Sequence, residues 1–445
     1  MSLITPRTLK GFRDHLPESM LQREQLIDKV RSVFQSYGFS PIDTPALEYE
    51  EILLGKGGEE TDKQIYAFED HGGRRVGLRF DLTVPLARFS AQHIGALGTP
   101  LKRYQIANVW RGENTQKGRY REFAQCDFDT IGTKSMVADI ETALVIHDLL
   151  VALGCEDFKI HVNNRKILTG LLASLGIEDQ TVPILRCLDK LAKVGIKDMT
   201  TEMLTIDRVD EAAVASLLTL TEIRGSIADI FKSTRRIVTN NALFTAGLDE
   251  LEELIHGLIV AGVPESRIHL DLSIARGLDY YTGNIFETFL EALPAIGSVC
   301  SGGRYDQLAE TYTKTELPGV GASLGIDRLL AAMQEIGVLK PMQMGAEIFV
   351  VFFDPDRRDD YIRMTRQLRL AGLRVEMYSD PKKIGQQLKY ANRRGHRFAL
   401  IAGSNELDQG HCQVKDLNTG DADNVSLHDG FGTLVDTLKE KLSAL

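Results

Sequence analysis

The sequence predicts an α+β domain with a helical insertion, followed by a smaller α/β domain. Before about residue 340, strand-like segments follow one another in runs, which is typical of a largely antiparallel sheet. Between about residues 164 and 256, leucines recur at helical spacing and strand patterns are missing. After a linker near residues 339–345, short apolar runs alternate with amphipathic stretches, which indicates βαβ units. We therefore expect domains at 1–340, with the insertion at about 164–256, and at 346–445.

The elements of the first domain follow from their side-chain periodicity. The first helix is predicted over residues 18–37, because Leu26, Val30 and Phe34 recur every four residues and share one face. The remaining predicted elements before the insertion are, in order, a strand over 39–43, a hairpin over 64–81, strands over 101–111 and 119–130, a helix over 136–153 and a strand over 159–162. Beyond the insertion an extended pattern resumes at Ile268, and a strand runs into a helix over 319–337.

The second domain alternates regularly between the two element types. The predicted elements are strand 348–353, helix 358–371, strand 374–378, helix 382–394 and strand 398–402. A strand that returns through a helix to a neighbouring strand is parallel to it, so part of this sheet should be parallel.

Composition and charge exclude several classes of protein. The chain has 445 residues, 52 basic and 62 acidic, with a net charge of −10, so it is not a general nucleic-acid coat protein. No apolar run approaches 18 residues, and the first residues lack the apolar core of a signal peptide. The five cysteines are far apart and form no CxxC pair, so neither a zinc site nor a disulfide framework is predicted. We expect a cytoplasmic protein without a membrane segment or a metal site.

One strand carries an unusual set of polar side chains. Because side chains alternate between the two faces of a strand, one face should carry Arg119, Arg121, Phe123, Gln125, Asp127 and Asp129. Tyr120, Ala124, Cys126 and Phe128 should form the apolar face. Arg111 lies just before the loop that joins this strand to the preceding one, and it can approach the polar face. Guanidinium groups beside carboxylates and an amide suit a triphosphate and an amino acid, although a solvated strand face would show the same pattern.

Two further segments are candidates for the same site. In residues 276–283, Arg276 stands beside two tyrosines and two glycines, which suggests a polar pocket that the backbone approaches closely. In residues 319–328, small residues precede Arg328 near the start of a helix, where a phosphate could bind. The same segment contains GxSxG with Ser323, the nucleophile pattern of hydrolases, as the alternative. A P-loop and an HExxH motif are both missing from the sequence.

Taken together, these motifs resemble those of the class II aminoacyl-tRNA synthetases, specifically the histidyl-tRNA synthetase family. The first helix and the strand ending at Pro45 are similar to class II motif 1, residues 104–129 to motif 2, and residues 319–330 to motif 3. The order LRFDLT, GRYREFAQCDFD and ARGLDYYTG is specific to the histidyl enzymes. The resemblance covers nearly the whole chain and implies a class II antiparallel catalytic core and a C-terminal domain similar to anticodon-binding domains.

The resemblance also implies residue roles. The residues that would bind ATP are Arg111, Glu113, Arg119 and Arg328. The residues that would bind histidine are Asp81, Thr83, Gln125, Asp129, Arg276, Tyr280 and Tyr281. Arg276 and Arg111 would be catalytic, with Arg276 at the histidine carboxylate and the α-phosphate, where other class II enzymes tend to use a metal ion.

The implied activity is ATP-dependent activation of L-histidine to histidyl-adenylate, followed by transfer to the histidine tRNA. Mg²⁺ would accompany ATP, a tightly held cofactor is not expected, and the enzyme would be a homodimer. Residues 356–397 hold twelve basic and five acidic residues, which favours an RNA-binding C-terminal domain. The alternative is a catalytically silent, histidine-binding regulatory paralogue of ATP phosphoribosyltransferase. Such paralogues tend to lose the catalytic arginines and the C-terminal domain, and this sequence keeps both.

Overall fold

The computed structural model describes residues 3–54, 64–189, 191–238, 240–274, 280–339 and 345–443, with only the backbone described for 191–194. The chain divides into two compact units. One consists of Met1–Asp14 and Arg23–Leu339, and the other of His15–Gln22 and Lys340–Leu445.

The described part of the first unit contains one large sheet and one small sheet. Its strands are β1 Ser40–Pro41, β2 Leu47–Tyr49, β3 Ala67–Glu69, β4 Arg75–Leu78, β5 Leu101–Trp110, β6 Glu122–Ile131, β7 Phe158–Asn164, β8 Ile268–Leu270, β9 Asn284–Leu290, β10 Cys300–Tyr305 and β11 Gly319–Gly325. The large sheet has the order β1-β5-β6-β11-β10-β9-β7-β8, and the small sheet has the order β2-β4-β3. All pairs in the large sheet are antiparallel except β1–β5 and β7–β8, at its two edges. The prediction of a largely antiparallel α+β core is confirmed.

The helices of the first unit cover this sheet and form the insertion. They are α1 Pro17–Ser36, which begins in the second unit, α2 Glu50–Leu54, α3 Thr83–Leu97, α4 Met136–Ala152, α5 Arg165–Ser174, α6 Thr181–Asp189, α7 Leu191–Met203, α8 Glu211–Thr221, α9 Ile227–Thr234, α10 Ala242–Val260 and α11 Ile326–Glu335. Helix α7 is interrupted at Gly195, where φ is +82°. Short 3₁₀ turns lie at Glu178–Gln180, Glu265–Arg267, Pro294–Ile296 and Leu308–Thr311.

The apolar face of α1 packs on the apolar face of β6, as its four-residue spacing predicts. Leu26, Val30 and Phe34 are buried, and the Phe34 ring lies 5.1 Å from the ring of Phe128 on β6. Burial of each such side chain contributes about 1.5–3 kcal/mol to stability. Because this packing occupies one face of β6, the other face is left for the polar residues on the same strand.

The region predicted to be a helical insertion is helical, but its first and last helices belong to the core around the sheet. A Cβ on Gly170 of α5 would lie 2.5 Å from the backbone nitrogen of Phe244 on α10. A Cβ on Gly257 of α10 would lie 2.5 Å from the side chain of Ile140 on α4. Glycine therefore permits a close approach of α10 to both α5 and α4, and α10 continues to Val260, beyond the predicted end at 256.

The second unit contains a five-stranded sheet in the order β13-β12-β14-β15-β16. Its strands are β12 Ile348–Val350, β13 Val375–Met377, β14 Phe398–Ile401, β15 His411–Asp416 and β16 Ala422–Ser426, and its helices are α12 Arg358–Leu370, α13 Ile384–Arg394, α14 Ser404–Asp408 and α15 Gly432–Ser443, with a 3₁₀ turn at Pro355–Arg357. Strands β13, β12 and β14 are parallel, and β15 and β16 are antiparallel.

Alternate residues of β12 are buried on both faces of this sheet. Ile348 and Val350 pack with α12 and α15, whereas Phe349 packs with Ala391 of α13. Helices on both faces explain why β12 reads as a continuous apolar run in the sequence. The predicted α/β architecture is confirmed.

The helices in the described residues include none whose length and apolar character would suit a membrane span.

Candidate active site

A cleft of about 470 Å³ lies on the polar face of the large sheet. Ten of the eleven predicted site residues line it, namely Asp81, Thr83, Arg111, Glu113, Arg119, Gln125, Asp129, Tyr280, Tyr281 and Arg328. The eleventh, Arg276, lies outside the described residues. The cleft therefore brings together side chains that are up to 247 positions apart, between Asp81 and Arg328.

Strand β6 supplies the floor of the cleft through its alternation. Gln125, Asp127 and Asp129 line the cleft, while the residues between them face α1. On the neighbouring strand β11, Ser323 lies opposite Asp127 and Gly321 lies opposite Asp129. The two strands thus present three polar groups and one glycine in adjacent positions.

The glycines on β10 and β11 make room for the side chains of the cleft. A Cβ on Gly321 would lie 2.1 Å from Oδ1 of Asp129, which is an impossible contact. A Cβ on Gly303 of β10 would lie 2.9 Å from the ring of Tyr281. The glycine-rich sequence of these strands therefore allows Asp129 and Tyr281 to lie flat against the backbone.

Asp129 is held by two residues that the sequence did not identify. A carboxylate oxygen of Asp129 lies 2.6 Å from a guanidinium nitrogen of Arg103, which lies opposite it on β5 and is 0% exposed. The hydroxyl of Tyr305 donates a hydrogen bond to the other oxygen. Burial raises the pKa of Asp129, and the positive charge of Arg103 opposes that rise. The carboxylate is consequently fixed in orientation before any ligand arrives.

Two further buried carboxyl groups lie next to Asp129. Burial raises the pKa of Asp127 to about 7, with a further contribution from the charge of Asp129 and opposition from Arg103. Burial also raises the pKa of Asp81 to about 6, although the backbone N–H of Val84 donates to its Oδ1 at 3.0 Å. A site with such carboxyl groups favours a cation, because a positive ligand charge would stabilise their ionised forms.

Three tyrosines form the wall beside these carboxyl groups. The ring of Tyr280 lies 5.1 Å from that of Tyr281 and 5.8 Å from that of Tyr305, edge to face in both cases. A side-chain hydrogen bond joins Tyr280 to Thr83, and burial keeps the pKa of Tyr280 well above its usual value. The wall can therefore contact a flat ring and still offer hydroxyl groups.

Three arginines also line the cleft. The Nε of Arg111 donates to the carbonyl of Phe80 at 2.8 Å, which fixes the direction of its guanidinium group. Glu113 lies 3.7 Å from Arg111 and 3.6 Å from Arg119. Arg328 at the start of α11 donates to the carbonyl of Ser298. Three arginines that line one cleft suit an anionic ligand such as a polyphosphate.

The predicted alternation of side chains between the two strand faces fails just before β6. Strand β6 starts at Glu122, because Gln116 and Arg119 form a tight bridge that interrupts the extended backbone. As a result Tyr120 lines the cleft, contrary to the prediction. Arg121 does not line it; its Nε donates to the carbonyl of Glu113 at 3.1 Å.

The nucleophile pattern at Ser323 lacks the geometry of a hydrolase. Ser323 lies inside β11, two residues before its end, and not on a strand-to-helix turn. Its hydroxyl accepts a hydrogen bond from Nε2 of Gln125 at 3.0 Å. It also forms a hydrogen bond with Asp127. Ser323 therefore positions the polar residues of β6.

Asp327 joins the start of α11 to the N-terminal segment. Its Oδ1 is 2.5 Å from Arg13 and 3.3 Å from Arg23, and its Oδ2 accepts the backbone N–H of Ala124 at 2.7 Å. The side chain of Asp327 is almost fully buried. This network holds the helix that carries Arg328 against β6.

Sequence reasoning did not identify Arg103, Tyr305 and Asp327 as site residues, and it assigned Asp127 to the right face without a role. Arg103 alternates with Gln105 along β5, but only the register of β5 on β6 shows that it faces Asp129. Tyr305 has no local signal, since its partner is 176 residues away in the sequence.

The chain matches known protein families over most of its length. Residues 11–329 match the family described as histidyl-tRNA synthetase, and residues 347–438 match the family described as anticodon binding domain. A protein of Rhodopirellula baltica named histidine–tRNA ligase is 55% identical over 442 residues, which cover 99% of this chain and 100% of that protein. A protein of Wolinella succinogenes with the same name is 44% identical, covering 94% of this chain and 96% of that protein.

Solved structures show the same relationship. A histidyl-tRNA synthetase from Nostoc sp. PCC 7120 superposes with a TM-score of 0.85 at 34% identity, covering 99% of this chain and 100% of that one. A Bacillus halodurans structure named as an ATP phosphoribosyltransferase regulatory subunit/histidyl-tRNA synthetase superposes with a TM-score of 0.74 at 25% identity, covering 88% of this chain and 97% of that one.

Proposed function

Because this chain belongs to the histidyl-tRNA synthetase family, we propose roles for its cleft residues in the reaction of that family. The chain is an aminoacyl-tRNA ligase that activates L-histidine with ATP to histidyl-adenylate and charges tRNA with the histidyl group. The comparisons do not favour the regulatory alternative, since the curated relatives at 55% and 44% identity are named as ligases.

The buried carboxyl groups and tyrosines of the cleft bind histidine in this proposal. The α-ammonium group is bound by Asp81, Thr83 and Gln125, where buried carboxyl and amide oxygens favour a cation. The imidazole ring lies against Tyr280 and Tyr281 and donates a ring N–H to Asp129, which Arg103 and Tyr305 hold in place. A buried, preoriented acceptor discriminates strongly against side chains that lack the N–H group.

The three arginines of the cleft bind ATP in this proposal. Arg111, Arg119 and Arg328 contact the phosphates, and Glu113 keeps Arg111 and Arg119 in position. Glu113 would be a carboxylate available to the Mg²⁺ that accompanies ATP, whose other ligands would be mostly phosphate oxygens and water. Arginine suits this role because its charge is retained at any working pH.

The activation step joins the two substrates, histidine and ATP. A carboxylate oxygen of histidine attacks the α-phosphorus of ATP, an O–P bond forms, and the bond to pyrophosphate breaks. Negative charge develops on the α-phosphate and the leaving group, which Arg111 and Arg276 stabilise in the proposal. Removing one preorganised charge donor of this kind typically lowers the rate by about 10²–10³. For Arg276 the role comes from the family resemblance.

The observation that carries this assignment is that one cleft contains both buried carboxyl groups and three arginines. Histidine-dependent exchange of pyrophosphate into ATP tests it. We expect Gln125→Ala to raise the KM for histidine with little change for ATP. We expect Arg328→Ala to raise the KM for ATP with little change for histidine. The reverse pattern, or equal effects on both substrates, would contradict the assignment.

Ser323→Ala separates the positioning role from a nucleophilic one. Loss of the hydrogen bond from Gln125 should cost about 1 kcal/mol, which raises the KM for histidine several-fold and leaves kcat nearly unchanged. The pyrophosphate-exchange assay measures both parameters. A variant with no residual activity would restore the hydrolase hypothesis.

The C-terminal region 346–445 binds the tRNA anticodon in this proposal, and 1–340 is the catalytic domain. The match of residues 347–438 to an anticodon binding domain supports this division. The resemblance of the first helix and strand to class II motif 1 supports a homodimer. Five free cysteines, all buried, suit the reducing environment of the cytoplasm. Deletion of residues 346–445 should weaken tRNA binding, and unchanged binding would contradict the assignment.

A further inference from the structure

A second cluster of polar side chains lies at the edge of the large sheet, where β7 pairs with β8. This pair is parallel, and His161 on β7 lies directly opposite His269 on β8. Asp271 follows β8 immediately, two residues after His269 and on the same side of the strand. Ile268 and Leu270, the residues on either side of His269, are buried on the other face. The sheet therefore places two imidazoles and one carboxylate together.

The three side chains are close enough to share one ligand. The Nδ1 of His161 lies 3.1 Å from Oδ2 of Asp271, and the two imidazole centroids are 4.3 Å apart. One ligand atom from each of His161, His269 and Asp271 lies within 4.8 Å of the other two. All three residues are partly exposed, so an ion could reach them from solvent.

Asp271 is held in place by groups outside the cluster. Its Oδ1 accepts hydrogen bonds from the backbone N–H of Ser273 at 3.0 Å and from the Ser273 hydroxyl at 2.5 Å. Its own backbone N–H donates to the carbonyl of Val162 on β7 at 3.0 Å. Oδ2 is thereby directed at His161. An outer hydrogen bond that orients a carboxylate ligand is a regular feature of metal sites.

The cluster is distinct from the cleft. Glu287 on β9 lines the cleft and lies opposite His161 in the antiparallel β7–β9 pair. His161 and His269 are on the next two strands and do not line the cleft in the described part of the chain. The edge of the ring of Phe289 lies against His161, with centroids 4.8 Å apart, and gives the cluster an apolar side. Lys159, on the same strand, is neutralised by Glu291 at 2.8 Å.

We propose that His161, His269 and Asp271 bind a divalent transition-metal ion of the zinc type at this sheet edge. Neutral imidazole nitrogens with one carboxylate oxygen suit Zn²⁺, Co²⁺ or Ni²⁺ and do not suit Mg²⁺ or Ca²⁺, which prefer oxygen ligands alone. Three protein ligands leave a fourth position for water. Sequence spacing did not predict this site, because His161 and Asp271 are 110 positions apart.

The ion would join β7, β8 and the start of the segment that follows β8. It would replace the direct hydrogen bond between His161 and Asp271 with two bonds to the metal, and His269 would supply the third. The ion is therefore independent of the Mg²⁺ that accompanies ATP.

The experiment titrates untagged, metal-free, full-length protein with Co²⁺ and follows the visible absorption bands of the bound ion, then displaces Co²⁺ with Zn²⁺. We expect one equivalent to bind, and we expect His269→Gln to abolish this binding. Ser273→Ala keeps all three ligands and should weaken binding about 10- to 100-fold. His147→Ala is the matched control, because His147 pairs with Asp148 at 2.8 Å as His161 does with Asp271 but belongs to no cluster of three metal-binding side chains among the described residues. It should bind Co²⁺ like the wild type.

Two results would overturn the proposal. One is the absence of stoichiometric Co²⁺ or Zn²⁺ binding by the wild type. The other is wild-type binding by both His269→Gln and Ser273→Ala, which would place the ion elsewhere. If His269→Gln fails to fold by circular dichroism, Ser273→Ala decides alone, since loss of one hydroxyl leaves the ligands and the strands intact.

Discussion

At the residue scale, the pair of Arg103 and Asp129 is the most demanding feature of the cleft. Both side chains are buried, and each compensates the charge of the other. Because removal of one partner leaves an unpaired buried charge, we expect Arg103→Met to destabilise the protein by about 3–5 kcal/mol in denaturant unfolding. The double variant Arg103→Met/Asp129→Asn should recover part of this loss.

Arg75→Met is the control for this prediction. Arg75 pairs with Glu50 at 2.8 Å, but its side chain is 59% exposed, so its loss should destabilise the protein much less than the loss of Arg103. Equal costs for the Arg75 and Arg103 variants would show that burial does not determine the importance of the Arg103 pair.

Asp127 should make the stability of the unliganded protein depend on pH. Burial raises its pKa to about 7, above the ordinary value of about 3.9, so the folded state holds a proton between pH 4 and 7 that the unfolded state has lost. The folded state therefore loses stability progressively as the pH rises from about 4 to about 7, and the loss is complete above the folded-state pKa. We expect Asp127→Asn to be more stable than the wild type at pH 8, by at least about 1 kcal/mol, and this advantage should shrink towards pH 5.

Denaturant unfolding at the two pH values measures this difference, and Asp28→Asn on the exposed surface of α1 is the control. An equal effect of Asp127→Asn at pH 5 and pH 8 would contradict the assigned pKa. The same ionisation should strengthen binding of the histidine ammonium group as pH rises through 7.

At the element scale, β11 combines two functions that constrain its sequence. It pairs with β6 and β10 in the centre of the sheet, and its glycines leave space for Asp129. A Cβ at position 321 would displace the Asp129 carboxylate from Arg103 and Tyr305. We expect Gly321→Ala to weaken histidine binding by at least about 1.4 kcal/mol. This loss corresponds to a KM for histidine that is at least about tenfold higher in pyrophosphate exchange.

Gly95→Ala is the matched control for this variant. Gly95 lies in α3, and a Cβ there would meet nothing within 4 Å. Alanine should stabilise the helix by up to about 1 kcal/mol and leave the KM unchanged. Unchanged histidine kinetics in Gly321→Ala would mean that Asp129 does not need its present position.

Secondary structure was predictable from the sequence wherever a periodic pattern was long. The four-residue spacing in α1 and the alternation along β6 from Phe123 onwards were correct, because the period of side chains along an element is a local property. The prediction failed at Tyr120 and Arg121, which follow a bridge between Gln116 and Arg119 that interrupts the alternation. A turn of that kind depends on what surrounds it, and its residues carry no periodic signal.

At the scale of the whole molecule, net charge is a poor guide to RNA binding. The chain carries −10 overall, while residues 356–397 hold twelve basic residues. Ion pairs within the described residues involve six of these twelve, among them Arg374 with Glu347 and Arg397 with Asp416. The local excess is therefore smaller in the folded protein than in the sequence count.

Exposed Lys389 and Arg393 lie four residues apart on one face of α13, and we expect them to contact tRNA phosphates. Lys389→Ala and Arg393→Ala should each weaken tRNA binding and lower the slope of log K against log salt by about 1. Arg374→Ala, whose side chain is already paired, should change neither. Filter binding at several salt concentrations measures the slopes, and equal slopes for all three variants would contradict this assignment.

By itself, the sequence determined the kind of protein this is: the order of the elements, the two domain types, the family and ten of the residues that line the cleft. These follow from local motifs and periodicities, which can be recognised without knowledge of the fold. Only the tertiary structure decided which strands are neighbours and in what register. That register opposes Arg103 to Asp129, and it sets His161 beside His269. Such pairings depend on the burial of whole sheet faces against helices, a non-local free energy that no short stretch of sequence contains.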